Sequence, residues 1–212
     1  MNMTTRICFT RHGETDWNVA KRIQGQTDVP LNETGRSQAL AMAFNAAHHD
    51  FSAVYSSDLQ RALDTAKMVA ERRGLEVNTL PQLRERHFGI FQGLTAEEGL
   101  QLNPAAHACY MARDVNYDFE SGESMLRFAE RVKEAVAYLT RHHPQQTIAV
   151  VSHAGVLEIV YRKATGRPLH TPRDFAIPNC ALNWFNFDEH GWHLETWDDH
   201  HHLHKVLLES AE

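Results

Sequence analysis

A chain of 212 residues, 42% hydrophobic and 23% charged, can bury a core, and it contains no apolar run long enough to span a membrane. Its 21 basic and 27 acidic residues leave a formal charge of −6, which argues against a nucleic-acid surface because such surfaces need a basic patch. Cys8, Cys109 and Cys180 have no metal-type spacing and no signal-peptide pattern opens the chain, so one cytoplasmic domain over residues 1–212 with reduced core thiols is expected.

The first apolar run, Ile7 to Thr10, reads as a buried strand that ends in RHGETDWN, Arg11 to Asn18. A strand running straight into Arg, His and Glu delivers charge to the sheet edge where α/β proteins place ligands. With 15 histidines in the chain, His12 means little until its neighbours are known. Residues 19–31, with Gln24, Gly25, Asp28 and Pro30, read as a loop over that edge. Asn32 caps a predicted helix from Glu33 to His48, with Leu40, Met42, Ala43, Phe44 and Ala47 as its apolar stripe.

Ala53 to Ser56 predicts a second strand, and Ser57-Asp58-Leu59-Gln60 fits a capping box that places Arg61 in the first turn of the next helix. Helix N-termini favour anions. Gly74 should end that helix, and Glu76 to Leu80 should form a third strand. The mixed charged and aromatic stretch at residues 86–122 reads as a lid, since a long connection inside a compact domain is more often functional than idle.

Ser124 opens a regular amphipathic helix with Phe128, Val132, Val136 and Leu139 on one face and Arg127, Glu130, Arg131 and Lys133 on the other, read as scaffold. Ile148 to Ser152 is a continuous apolar run of central-strand type that ends in His153, Ala154 and Gly155. Two strands therefore end in His followed closely by Gly. Cys180 to Phe187 and Trp192 to Trp197 predict a hairpin bordering the sheet, and the His-rich run from Asp198 to His204 reads as a solvated tail without a metal site.

Four blocks, RHGETDWN at 11–18, SSDLQRALDTA at 56–66, LRERHFGIFQGLT at 83–95 and VVSHAG at 150–155, together resemble the histidine phosphatase superfamily, also called phosphoglycerate mutase-like. The resemblance implies a three-layer α/β/α sandwich around a mixed, mostly parallel sheet, with His12 phosphorylated during turnover. It further implies that Arg11, Arg61, His153 and Asn18 bind the phosphoryl group and that Glu85 donates the proton. Gln24, Gly25, Arg86 and Ala154 complete the expected substrate-binding set, with no metal.

Those roles make chemical sense. Phosphoryl transfer spreads charge over equatorial oxygens, so catalysis is mainly positioning and electrostatic stabilisation, for which paired guanidiniums are suited. His12 must be neutral at the attacking nitrogen, whereas His153 works best as a cation or donor. Glu85 must carry a proton at the start, give it to the leaving alkoxide, and then activate water. Arg61→Ala is expected to cost at least about 10² to 10³ in rate without unfolding the protein.

The expected substrate is a small-molecule phosphate monoester, and the protein is expected to act as a monomer or homodimer without a cofactor. The short 86–122 region and the SGES stretch at 121–124 resemble the phosphatase branch, and the lid aromatics suit a less polar leaving group. Gln92 is more mutase-like, which keeps open a phosphoglycerate mutase requiring 2,3-bisphosphoglycerate. A phosphate-binding module without turnover is the remaining alternative.

Overall fold

The structure, a computed structural model, describes residues 4–203. Its strands are β1 (Thr5–Arg11), β2 (Ala53–Ser56), β3 (Val77–Thr79), β4 (Thr147–Ser152), β5 (Leu182–Asp188) and β6 (Gly191–Asp199). Among the described residues they form one sheet in the order β3-β2-β4-β1-β5-β6. The pairs from β3 to β1 are parallel, and β5 runs antiparallel to both β1 and β6. The sheet is thus mixed and mostly parallel.

Side chains alternate across each strand and so build two cores. Cys8, Val54, Ala149, Val151 and Trp184 face helices α2 (Glu33–Ala46) and α3 (Gln60–Arg73). Ile7, Phe9, Tyr55, Ile148, Val150 and Phe185 face α6 (Met125–His142) and α7 (Ala154–Thr165). This is the expected α/β/α sandwich. No helix of the described residues is long and apolar enough to cross a membrane.

The helix ends follow local chemistry where the chain supplies it. Asn32 Oδ1 accepts from Gly35 N, Ser124 Oγ accepts from Arg127 N, and Gly74 closes α3 in the left-handed conformation at φ 63°. Two expectations are corrected. Of the expected stripe Met42 and Ala43 are buried, but Leu40 and Phe44 are exposed, and Gln38, Ala39 and Ala46 complete the buried face of α2. The anticipated capping box at Ser57 does not form: Leu59 occupies the cap position without a side-chain bond, and Asp28 Oδ1 accepts from Gln60 N across the turn.

Residues 86–122 leave the sandwich between β3 and α6. They include α4 (Ala96–Leu102) and α5 (Pro104–Met111), after the short helix α1 (Asp16–Val19) earlier in the chain. Phe91, Ala106 and Phe119 form a small apolar cluster of their own, with Phe88, Tyr110 and Tyr117 around it. Arg22 ties this segment to the 19–31 loop by donating to Gly93 O and to the Glu98 carboxylate, each at 2.6 Å. The expected solvated tail is corrected: β6 runs to Asp199, His202 Nε2 donates to Cys180 O at 3.0 Å and Leu203 is buried, while His204 lies outside the described residues.

Candidate active site

The carboxyl ends of β1, β2 and β4 lie side by side, so Arg11, Ser56 and Ser152 end neighbouring strands at one edge of the sheet. His12 and His153 follow two of those ends, and their rings lie 5.2 Å apart between centroids. The backbone fixes His12 from both sides: its N–H donates to Ser152 O at 3.0 Å, and its carbonyl accepts from Asn179 Nδ2 at 2.7 Å. The ring is then oriented by its own chain. Nδ1–H donates to Gly13 O at 2.7 Å, which assigns the lone pair to Nε2.

Nε2 accepts from Arg61 Nε at 3.3 Å. Burial, then the charges of Arg61 and Arg11, hold the His12 imidazole well below its ordinary value. His12 is therefore a neutral base whose Nε2 carries the lone pair that attack on phosphorus requires, held until then by Arg61. Thr65 supports the arrangement by accepting from Gly13 N at 3.1 Å and donating to Arg61 O at 2.8 Å.

Arg61 is fully buried in the first turn of α3, not solvated. Its Nη1 and Nη2 donate to Thr27 O at 2.8 Å and Gly25 O at 2.7 Å, and Gly25 itself turns through a positive φ of 53°. Burial lowers its pKa to about 10, which leaves it cationic at neutral pH. To the expected loss of rate in a folded Arg61→Ala these bonds add a cost in stability. The variant leaves two loop carbonyls without their donor, each costing about 1 to 3 kcal/mol when buried. Arg61→Ala is expected to lose roughly 10² to 10³ in rate and also to unfold at lower denaturant. Urea melts alongside initial rates separate the two effects, and an unshifted midpoint would show that the loop does not depend on Arg61.

His153 caps α7 through its backbone, and its Nε2 lies 2.7 Å from Ser57 Oγ. Burial, then Arg61 and His12, hold it well below the ordinary histidine value, which favours the neutral of the two anticipated forms. Ser57, read as a helix cap, instead orients this ring. Nδ1 of His153, Nε of Arg11 and Oε1 of Gln24 are buried with no protein partner among the described residues. With Ser57 Oγ–H donating to Nε2, His153 Nδ1 carries the proton, and it and Arg11 Nε are two donors beside a neutral imidazole that suit an anion accepting from both. Arg11 meanwhile holds Ile177 O through Nη1 at 3.0 Å.

Asn18 lines the same cavity, with its Oδ1 accepting from Thr15 N, which leaves the amide N–H₂ as its end for a ligand. Arg86, expected to bind substrate, also has a structural part. Its Nε donates to Glu123 O at 2.7 Å and its Nη2 to Tyr117 O at 3.0 Å, so it chiefly staples the 86–122 segment while lining a cavity wall. Ala154 lines that wall at the start of α7.

Glu85 stands where two cavities meet. One, of about 310 Å³, is lined by Arg11, His12, Asn18, Gln24, Gly25 and Arg61 among others. The other, of about 320 Å³, lies under Phe88, Tyr110 and Phe119, and Glu85 lines both. Its Oε1 accepts from Arg86 N at 2.8 Å and its Oε2 from Gly155 N at 3.0 Å. A Cβ on Gly155 would lie 2.1 Å from Glu85 Oε1, so only glycine admits the carboxylate here. Arg131, read as surface scaffold, fixes the backbone beneath it by donating to the carbonyls of Gln82, Arg84 and Glu85 and pairing with Glu123. The polar face of an amphipathic helix gave no signal for that role.

Gln92, the mutase-like departure, is structural. Its Oε1 accepts from Gln26 N at 2.8 Å and packs where a side chain on Gly25 would stand.

Comparison with known proteins places this geometry in context. A family model described as "Histidine phosphatase superfamily (branch 1)" matches residues 7–200. The metal-independent phosphoserine phosphatase of Arabidopsis thaliana is 37% identical over 205 residues, covering 95% of this chain and 84% of its own. The solved structure of Bacillus stearothermophilus YhfR superposes with a TM-score of 0.86 at 30% identity, covering 94% of this chain and 99% of that one. The mycobacterial glucosyl-3-phosphoglycerate phosphatase complexed with VO3 gives 0.82 at 31%, covering 92% and 99%.

Proposed function

The chain belongs to the histidine phosphatase superfamily, and from that premise we propose that it hydrolyses small phosphate monoesters through a phosphohistidine on His12, with Glu85 moving the protons. The observation that carries this reading is the pairing of a neutral His12, its Nε2 lone pair turned to Arg61, with the unpartnered Arg11 Nε and His153 Nδ1.

Nε2 attacks phosphorus as the ester P–O bond breaks, and Arg11, Arg61, His153 and Asn18 take the charge of the equatorial oxygens. Arg61 Nε passes from the imidazole to a phosphoryl oxygen as the bond forms. Glu85 gives its proton to the departing alkoxide, then accepts one from the water that attacks phospho-His12. The guanidiniums supply the positive charge that a divalent ion supplies in other phosphoryl-transfer sites, consistent with a relative described as metal-independent.

The 86–122 segment serves as the lid that shapes the leaving-group side. The mutase alternative drew on Gln92, whose amide oxygen accepts from the loop backbone, so hydrolysis is the favoured reading. The test is phosphate release from p-nitrophenyl phosphate and from 3-phosphoglycerate after exhaustive treatment with a chelator. Undiminished release supports the reading. Isomer formation that depends on 2,3-bisphosphoglycerate would convert it to a mutase, and tight phosphate binding without release would leave a binding module.

A further inference from the structure

The two cavities at Glu85 also share Phe88, Tyr110 and Arg173. Arg173 lies outside both the lid and the family blocks, in the connection between α7 and β5. Its position, between the phosphoryl side and the leaving-group side, is that of a residue that meets the substrate beyond its ester oxygen.

The other cations of the leaving-group cavity are already engaged. Arg86 donates to two backbone carbonyls. Arg113 donates to Leu169 O and to the Glu158 carboxylate, and Arg162 binds the same carboxylate at 2.8 Å from α7. Both of those bonds fall on Glu158 Oε1; Arg173 Nη1 faces Oε2 at 3.8 Å, a loose ion pair beyond hydrogen-bond range. Among the described residues Arg173 donates no hydrogen bond to the protein, and its side chain is 44% exposed, against 10% for Glu158. The remaining acid of the cavity wall, Asp114, is exposed and caps Asn116 N through its Oδ1.

We infer that Arg173 is a specificity residue that binds a carboxylate carried by the leaving group, so that the preferred substrates are phosphate esters of hydroxy acids. The inference rests on the phosphatase reading above. It amends the expectation of a less polar leaving group drawn from the lid aromatics: Phe88, Tyr110 and Phe119 bound the carbon skeleton, while the charge is read from the opposite wall. A cationic leaving group gains nothing there, because Arg113, Arg162 and Arg173 already set three guanidiniums around Glu158. A guanidinium donates to a carboxylate through two parallel N–H groups, and such charge-assisted bonds are the strong ones.

A matched pair of esters tests this. 3-Phosphoglycerate and glycerol 3-phosphate differ in that one carries a carboxylate where the other carries a hydroxymethyl group, and kcat/KM is measured for both with wild type, Arg173→Gln and Arg173→Lys. Wild type is expected to favour 3-phosphoglycerate by about 10- to 100-fold, as one hydrogen-bonded charge pair allows. Arg173→Gln should remove most of that preference by slowing the acid ester alone, and Arg173→Lys should restore part of it.

Equal loss on both esters would assign Arg173 to the phosphoryl group and overturn the inference. So would a wild type that turns over p-nitrophenyl phosphate without distinguishing the pair. Failure to release phosphate from any of the three esters would overturn the phosphatase reading itself, and this inference with it.

Discussion

A His12→Ala variant is expected to fold and to lose phosphomonoesterase activity by roughly 10⁴ or more, as removal of a covalent nucleophile does. The loss is of the attacking atom and not of substrate binding, because Arg11, Arg61 and His153 remain to hold a phosphate. Phosphate should therefore still bind the variant, as calorimetry or product inhibition of the residual rate would register. Wild type quenched during turnover should carry phosphate that is labile in acid and stable in base, and the variant should carry none. A variant with near-normal turnover would end the mechanism.

The pH profile offers a second check on the same residue. His12 attacks only as the neutral imidazole, and burial beside two arginines holds it well below the ordinary histidine value near 6.5. Lowering the pH through 6.5 therefore leaves His12 unprotonated in the free enzyme, and any acid limb it causes in kcat/KM lies below that point. An acid limb centred at the ordinary value and lost in no other variant would mean that His12 is not shielded as its bonds indicate.

What could be read from the sequence and what could not divide along physical lines. His12 and His153 were legible because each follows a strand without a break, so local order fixes where they stand in space. Arg61 was legible as a helix-start cation, but its two bonds to the carbonyls of Gly25 and Thr27 depend on how a loop folds back 34 to 36 residues away. Arg131 and Ser57 act through partners remote in sequence, and residue type and spacing cannot name those partners.

The α2 stripe failed for a related reason. Phe44 is apolar yet exposed, with the Arg72 guanidinium 3.7 Å above its ring, a cover that periodicity does not register. Gln38 is polar yet buried because its Oε1 accepts from Glu14 N, which helps fix the motif loop. In both places a long-range contact overrides the pattern of one helix.

Glu85→Gln is expected to separate the two halves of the reaction. With an alkyl ester such as glycerol 3-phosphate, the leaving alkoxide must be protonated as it departs, so the variant should lose about 10² to 10⁴ in the first step. p-Nitrophenolate is a far better leaving group and departs with little help, so phosphorylation of His12 should proceed. The second step still lacks its base. Nitrophenol should therefore appear in a burst of about one equivalent per active site, followed by slow turnover, while acid-labile phosphate accumulates on His12.

The geometry imposes a second consequence on this variant. Both carboxylate oxygens accept backbone N–H groups, from Arg86 and Gly155, whereas an amide has only one oxygen and turns its N–H₂ against the other donor. Some loss of position thus accompanies the loss of the proton, and Glu85→Asp controls for it by keeping the acid while shortening its reach. A variant that slows both esters equally and shows no burst would remove Glu85 from proton transfer and leave it a positioning residue at the junction of the two cavities.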